Sequence, residues 1–229
     1  MTGRSYGQSC SVADALDRIG GRWALLIVRE LALGPMRFSE LARAVGGAPT
    51  DVLTKRLRQL EQDGIVRRRE LDPPVSATAY ELTAVGHELE ETLLALGRWG
   101  LNFFRAGEVE GMEASYLPNS LRVIMRPPTD ASLSLQLRSS GQSFRLRVAN
   151  GWIDAERGEA PDPDLTLEGS PRGVIAVLIG AAPEQAEVAF EGDPEALDAL
   201  RTMVALPPRL LAEARDLIAL PLAAPAVQP

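Results

Sequence analysis

Apolar residues recur at intervals of three and four through the first hundred positions, and beyond about residue 130 they alternate with polar ones. The first period predicts helices. Val12, Leu16 and Ile19 repeat behind Ser11 and Asp14, a short capping signal, and Gly20-Gly21 ends that segment. A second helix starts at Trp23 and stops at Gly34-Pro35. A third, short one carries Phe38, Leu41 and Val45 and ends at Gly46-Gly47. In a fourth, Pro49 suits the first turn, where its missing N–H is harmless. Leu53, Leu57 and Leu60 form one apolar stripe there, and Thr50, Asp51, Thr54, Lys55 and Arg58 fall on the other side. Asp63-Gly64 closes it. Ile65–Glu70 reads as a strand, Asp72-Pro73-Pro74 as a turn and Ala79–Leu82 as the returning strand. Thr83 then caps a long helix to about Phe104, apolar at Val85, Leu89, Leu93, Leu96, Gly100 and Phe103. That stripe fits a core-facing helix and equally a dimer seam, and one helix can serve both.

Residues 107–118 are acidic and irregular, the expected linker. Beyond them Leu121–Met125, Leu133/Leu135/Leu137, Phe144/Leu146/Val148, Trp152-Ile153 and Leu165/Leu167 predict an antiparallel meander with one buried face. Ser139-Ser140-Gly141 and Asn150-Gly151 are its turns. Ser170-Pro171 opens a helix that is apolar on nearly every side, so it is deeply buried or lines an apolar cavity. Val188 and Phe190 suggest one more strand. Asp193-Pro194 opens a helix with Leu197, Leu200 and Val204, Pro207-Pro208 breaks it, and Leu210–Leu220 forms the last helix. The fold class is therefore α+β. The expected layout is residues 1–106 as a helical domain with a hairpin, 107–119 as linker, 120–220 as a mainly antiparallel sheet covered by helices, and 221–229 as a disordered tail.

Charge sharpens that division. The 229 residues carry a net −7, but residues 1–105 hold 14 Lys+Arg against 13 Asp+Glu, while residues 106–229 hold 10 against 18. Such asymmetry suggests two domains with different partners. The longest apolar run, Val174–Ala182, is far short of the roughly 20 residues that span a bilayer. The polar start lacks the apolar core of a signal peptide, and the single cysteine, Cys10, forms no intrachain disulfide. A cytoplasmic protein with no membrane partner is expected.

Helix, short turn, helix and then a basic hairpin is the order of a winged helix. The motifs Cys10-Ser11-Val12, Gly21-Arg22-Trp23, Met36-Arg37-Phe38-Ser39-Glu40-Leu41, Leu53–Gly64, and Tyr80-Glu81-Leu82-Thr83 with Gly86 resemble the HxlR-type family of winged helix-turn-helix regulators, cousins of the MarR family. The resemblance covers nearly all of residues 10–105. It implies a homodimer with two recognition helices and two wings, and hence a transcription regulator of the repressor kind on a pseudo-palindromic operator. Its dimer contacts would fall at Leu89, Leu93, Leu96 and Phe103. Just before the tyrosine of the return strand, where family members often carry an acidic residue, this chain has Ala79.

A recognition helix presents short polar and basic side chains to the major groove. Pro49, Thr50, Asp51, Thr54, Lys55 and Arg58 stand where that requires, and the family motif adds Arg37 and Ser39. Lys55 or Arg58 suits a guanine edge, and a threonine suits a thymine methyl. In the hairpin, Arg67 and Arg69 share one strand face and Arg68 takes the other, so two of the three can approach phosphate together.

Asp162-Pro-Asp-Leu-Thr-Leu-Glu-Gly-Ser-Pro, an apolar helix and then Phe190-Glu-Gly-Asp-Pro-Glu-Ala-Leu resemble the sterol-carrier-protein type-2 superfamily over about 120–206. That resemblance implies an apolar tunnel for a lipid or other hydrophobic small molecule, lined here by Leu135, Leu146, Trp152, Val174, Leu178, Phe190, Leu200 and Met203. The same residues read without it also fit a closed core. A lipid carrier whose winged half only dimerises, and a regulator whose second domain is only structural, are the competing readings.

Cys10 precedes a helix start, where the dipole lowers a thiol pKa, and some regulators of this kind use a cysteine here as an oxidation sensor; an inert residue is the alternative. His87, the only histidine, stands beside Glu88 and Glu90 and reads as a solvated side chain. Neither metal spacing, nor a phosphate-cradling loop, nor a nucleophile with a positioned base is visible, so no enzyme and no cofactor are expected.

Overall fold

The computed structural model describes residues 5–70 and 77–218. It divides between Leu93 and Leu94 into two compact units.

The first unit runs α1 (Ser11–Ile19), α2 (Ala24–Leu31), β1 (Met36–Arg37), α3 (Phe38–Val45), α4 (Thr50–Gln62), β2 (Val66–Glu70) and β3 (Thr78–Leu82), and enters α5 (Ala84–Gly100). The strands form an antiparallel sheet in the order β1-β3-β2, with Val66 opposite Leu82 and Arg67 opposite Glu81. Ile27, Val28 and Leu31 of α2, Leu41 and Val45 of α3, the three leucines of α4 and Leu82 make one buried cluster. Thr83 ties the parts together. Its hydroxyl donates to the Gly64 carbonyl at 2.6 Å, and its oxygen accepts from the Gly86 N–H at 3.1 Å, capping α5. A Cβ on Gly86 would lie 2.2 Å from the Ile65 carbonyl oxygen, so only glycine allows α5 to start this close to the α4–β2 turn.

Several expectations change. The N-cap of α1 is Cys10, and Ser11 is already inside the helix, so the capping role given to Ser11 fails. Val12 and Leu16 are 65% and 44% exposed, so of the α1 stripe Ile19 alone is buried, beside Ala13. Pro49 is the N-cap of α4 rather than a first-turn residue. Helix α5 ends at Gly100, four residues short of Phe104, and Leu101–Phe103 form a turn. The Asp72-Pro73-Pro74 turn and the 221–229 tail lie outside the described residues.

The second unit contains two short 3-10 segments (Ala106–Gly111 and Ala114–Tyr116), α6 (Leu117–Ile124), β4 (Leu133–Ser139), β5 (Gln142–Ala149), β6 (Trp152–Arg157), β7 (Leu165–Glu168), α7 (Pro171–Leu178), β8 (Ala189–Gly192), α8 (Pro194–Thr202) and α9 (Pro208–Ile218). Residues 107–118, expected to be irregular, hold the 3-10 turns and bury Ala114, Ser115, Leu117 and Pro118. Of Leu121–Met125, expected as a strand, the first four residues belong to α6, opened by Pro118 in its first turn, and Met125 is its extended C-cap. The sheet order is β6-β5-β4-β7-β8. Three of its four pairings are antiparallel, but β7 runs parallel to β4, so the expected meander stops at β6 and residues 158–164 cross the sheet instead.

Local chemistry explains these elements. Ser140-Gly141 and Asn150-Gly151 all have positive φ, the conformation a two-residue hairpin turn demands. The Ser170 hydroxyl caps α7 by accepting from the Gly173 N–H, and Asp193 caps α8 by accepting from the Glu195 N–H. Arg201 donates to the carbonyls of Val177 and Ala181 where α7 ends. Val204 lies past the end of α8, in a bridge to Met125. Helix α9 begins at Pro208, which opens it rather than only breaking its predecessor. Among the described residues no helix is long and apolar enough to cross a membrane.

Candidate nucleic-acid interface

The leucine stripe orients α4. Leu53, Leu57 and Leu60 are at most 1% exposed, which drives Thr50, Asp51, Lys55 and Arg58 to the opposite, exposed side. Thr54 is half-buried, and its hydroxyl donates to the Thr50 carbonyl at 2.7 Å, so its methyl is the part left to face a ligand. Among the described residues Lys55 and Arg58 form no ion pair. Lys55 is also the chain's only lysine. At the start of α3, Ser39 is exposed, and the Arg37 N–H donates to the Glu40 carboxylate at 2.8 Å.

The hairpin treats its cations differently. Strand parity sets Arg67 and Arg69 on one face, and there both meet Glu81, at 2.7 and 3.3 Å. Glu81 is largely shielded while both arginine side chains stay about half or more exposed. One carboxylate thus offsets one of the two positive charges. Arg68, on the other face, reaches Glu61 at 3.3 Å and lies over the Tyr80 ring. Ala79 is fully buried opposite Arg69.

Two contributors escaped the sequence reading. Glu81 lies in a quoted motif, but its partners emerge only from the strand register. In the sequence Gly21 reads only as a helix stop. A Cβ there would lie 2.1 Å from the Arg56 guanidinium, so the glycine also makes room for Arg56 on α4. Trp23, next in the same turn, takes a left-handed conformation (φ 77°).

The other named residues are scattered. Leu89 and Leu93 pack against the core of the first unit. In the second unit, Leu96 and Phe103 are exposed, and Trp99 meets Phe103 edge-on at 5.0 Å. Leu135, Leu146, Val174, Leu178, Leu200 and Met203 are buried, and Phe190 is half-buried. Alternation puts Trp152 on the sheet face opposite Ile153 and Ala155, under the Arg122 guanidinium. Cys10 is exposed. Without a full cap hydrogen bond, its thiol is still held below its ordinary value by the Ala13 and Val12 N–H groups of α1. His87 pairs with Glu90 at 2.7 Å on an exposed surface.

Two packed helices that support an outward-facing third, followed by a basic hairpin, define a winged-helix DNA-binding unit. The model of the HxlR-like helix-turn-helix family matches residues 18–108. The HTH-type transcriptional regulator sll1512 of Synechocystis is 37% identical over 114 residues, 48% of this chain and 80% of that one. The HTH-type transcriptional regulator YtcD of Bacillus subtilis is 38% identical over 92 residues, 40% and 73% of the two chains. A crystal structure of a MarR-family regulator from Enterococcus faecalis V583 is 37% identical, covering 43% of this chain and 94% of that one, with a TM-score of 0.37. The chain belongs to the HxlR-like helix-turn-helix family, whose matched members are HTH-type transcriptional regulators.

Proposed function

We propose that this protein is a homodimeric repressor that reads a pseudo-palindromic operator through α4 and steadies itself on phosphates through the β2–β3 hairpin. The observation that carries this reading is the split of α4: three leucines buried, two partnerless cations and a threonine fully outward. The side chains proposed to meet DNA are Arg37, Ser39, Pro49, Thr50, Asp51, Thr54, Lys55, Arg58, Arg67 and Arg69. Exposed apolar side chains support a second copy as partner: Val12 and Leu16 on α1 in the first unit, and Leu96, Trp99 and Phe103 in the second. The deciding experiment is a gel shift with the DNA upstream of the chain's own gene, against random competitor, for wild type and Arg58→Ala. Loss of sequence preference in the variant supports the assignment. Equal, sequence-blind binding by both defeats it.

The second unit serves as the effector half in this proposal. An apolar effector would lodge among Leu135, Leu146, Val174, Leu178, Leu200 and Met203. These are buried by the protein's own side chains, so uptake requires that layer to part, and only a ligand that favours one dimer state would alter operator binding. A fatty-acid panel read by thermal shift and gel shift together tests this. A panel that moves neither leaves the second unit a structural role.

A further inference from the structure

The second unit also holds an open recess of about 470 Å³, within the range of small-molecule sites. Its floor is the sheet face opposite the apolar layer. Register sets Ser134, Arg147 and Asp154 in one row across β4, β5 and β6, with Gln136, Arg145 and Glu156 in the next. Its wall is the crossover from β6 to β7, which contributes Ala160, Pro161 and Asp164.

That wall is fastened at three points. Gln136 is 1% exposed; its amide donates to the carbonyls of Leu137 and Phe144, both at 3.1 Å, and its oxygen accepts from the Ala160 N–H at 2.6 Å. Asp164 accepts from the Ser134 N–H at 2.6 Å, and Glu159 pairs with Arg138 at 2.9 Å. A buried, fully engaged glutamine is an expensive way to anchor a surface crossover unless its position matters.

The charges along it are exposed and unevenly matched. Arg145 and Glu156 pair with each other. Arg147 and Asp154 stand opposite one another, yet neither forms a side-chain hydrogen bond or ion pair among the described residues. Asp164 binds the backbone through one carboxylate oxygen. A simple anion would be drawn to Arg147 but meet Asp154 and Asp164, and a simple cation would meet the reverse. A molecule carrying both charges can set its anion on Arg147 and its cation on Asp154.

We propose that this recess binds a small zwitterion, its carboxylate on Arg147 and its ammonium on Asp154, which stands directly opposite on β6. The site lies within the second unit and does not depend on the DNA reading. Isothermal titration of the full chain with glycine, γ-aminobutyrate and glycylglycine, against acetate and methylammonium, tests it, repeated with Arg147→Gln and Asp154→Asn. The expected result is saturable binding of at least one zwitterion at one per chain, weakened about tenfold or more by each variant, with melting temperatures unchanged. Zwitterions that bind no more tightly than the singly charged controls, or variants that bind as wild type, overturn the proposal. Gel shifts on the same preparations keep failure of the DNA reading separate.

Discussion

Helix α4 and the β2–β3 hairpin both turn cations outward, but in different states. On α4, Lys55 and Arg58 form no ion pair among the described residues, whereas on the hairpin Glu81 holds Arg67 and Arg69 together. A partnerless cation can bind a base edge without first losing a bond; a clamped one must share or exchange its partner. The helix is therefore suited to choosing a sequence, and the hairpin to contacting phosphate with reduced charge.

Neighbouring residues break this comparison most directly. Leu57→Ala empties a buried site and should cost about 2–5 kcal/mol of stability, read by urea unfolding, whereas Arg58→Ala, one residue on, should leave the unfolding midpoint in place. If both destabilise alike, the division of α4 into packing and reading faces is wrong. In operator titrations, Arg58→Ala should cost about 1–3 kcal/mol and relax preference at one base position. Glu81→Gln sharpens the other half. Freeing Arg67 and Arg69 should tighten binding to any duplex and steepen log K against log salt by about one; an unchanged slope would mean the clamp never limits phosphate contact. The smallest effect concerns Cys10. Its lowered pKa means the thiolate appears at lower pH in the native chain than in the unfolded one, so iodoacetamide labelling in buffer should rise at lower pH than in urea. Coincident profiles would place the thiol outside the field of α1.

Much of α4 was legible because its signal is local: leucines at intervals of four and three admit one buried side. The β5–β6 hairpin was legible for a similar reason, since Asn150-Gly151 both take positive φ and alternation marks the buried positions. What escaped depended on distant partners. Leu121–Met125 is an apolar run interrupted by Arg122 that fits strand or helix alike, and Pro118, three residues before it, was the available hint. That β7 pairs parallel to β4 is a matter of topology, which alternation within a strand does not report. Arg67 and Arg69 were placed on one face by parity alone, but Glu81 as their shared partner required the register of two strands.

The placement of the chain's only lysine on the outward face of α4 has a practical consequence. Sensor chips activated with succinimidyl esters capture proteins through amines, and here the one side-chain amine sits in the middle of the surface proposed to meet the operator. Every molecule captured through Lys55 would have the very contact being measured blocked and would count as a false negative. The duplex should be tethered and the protein kept in the flow.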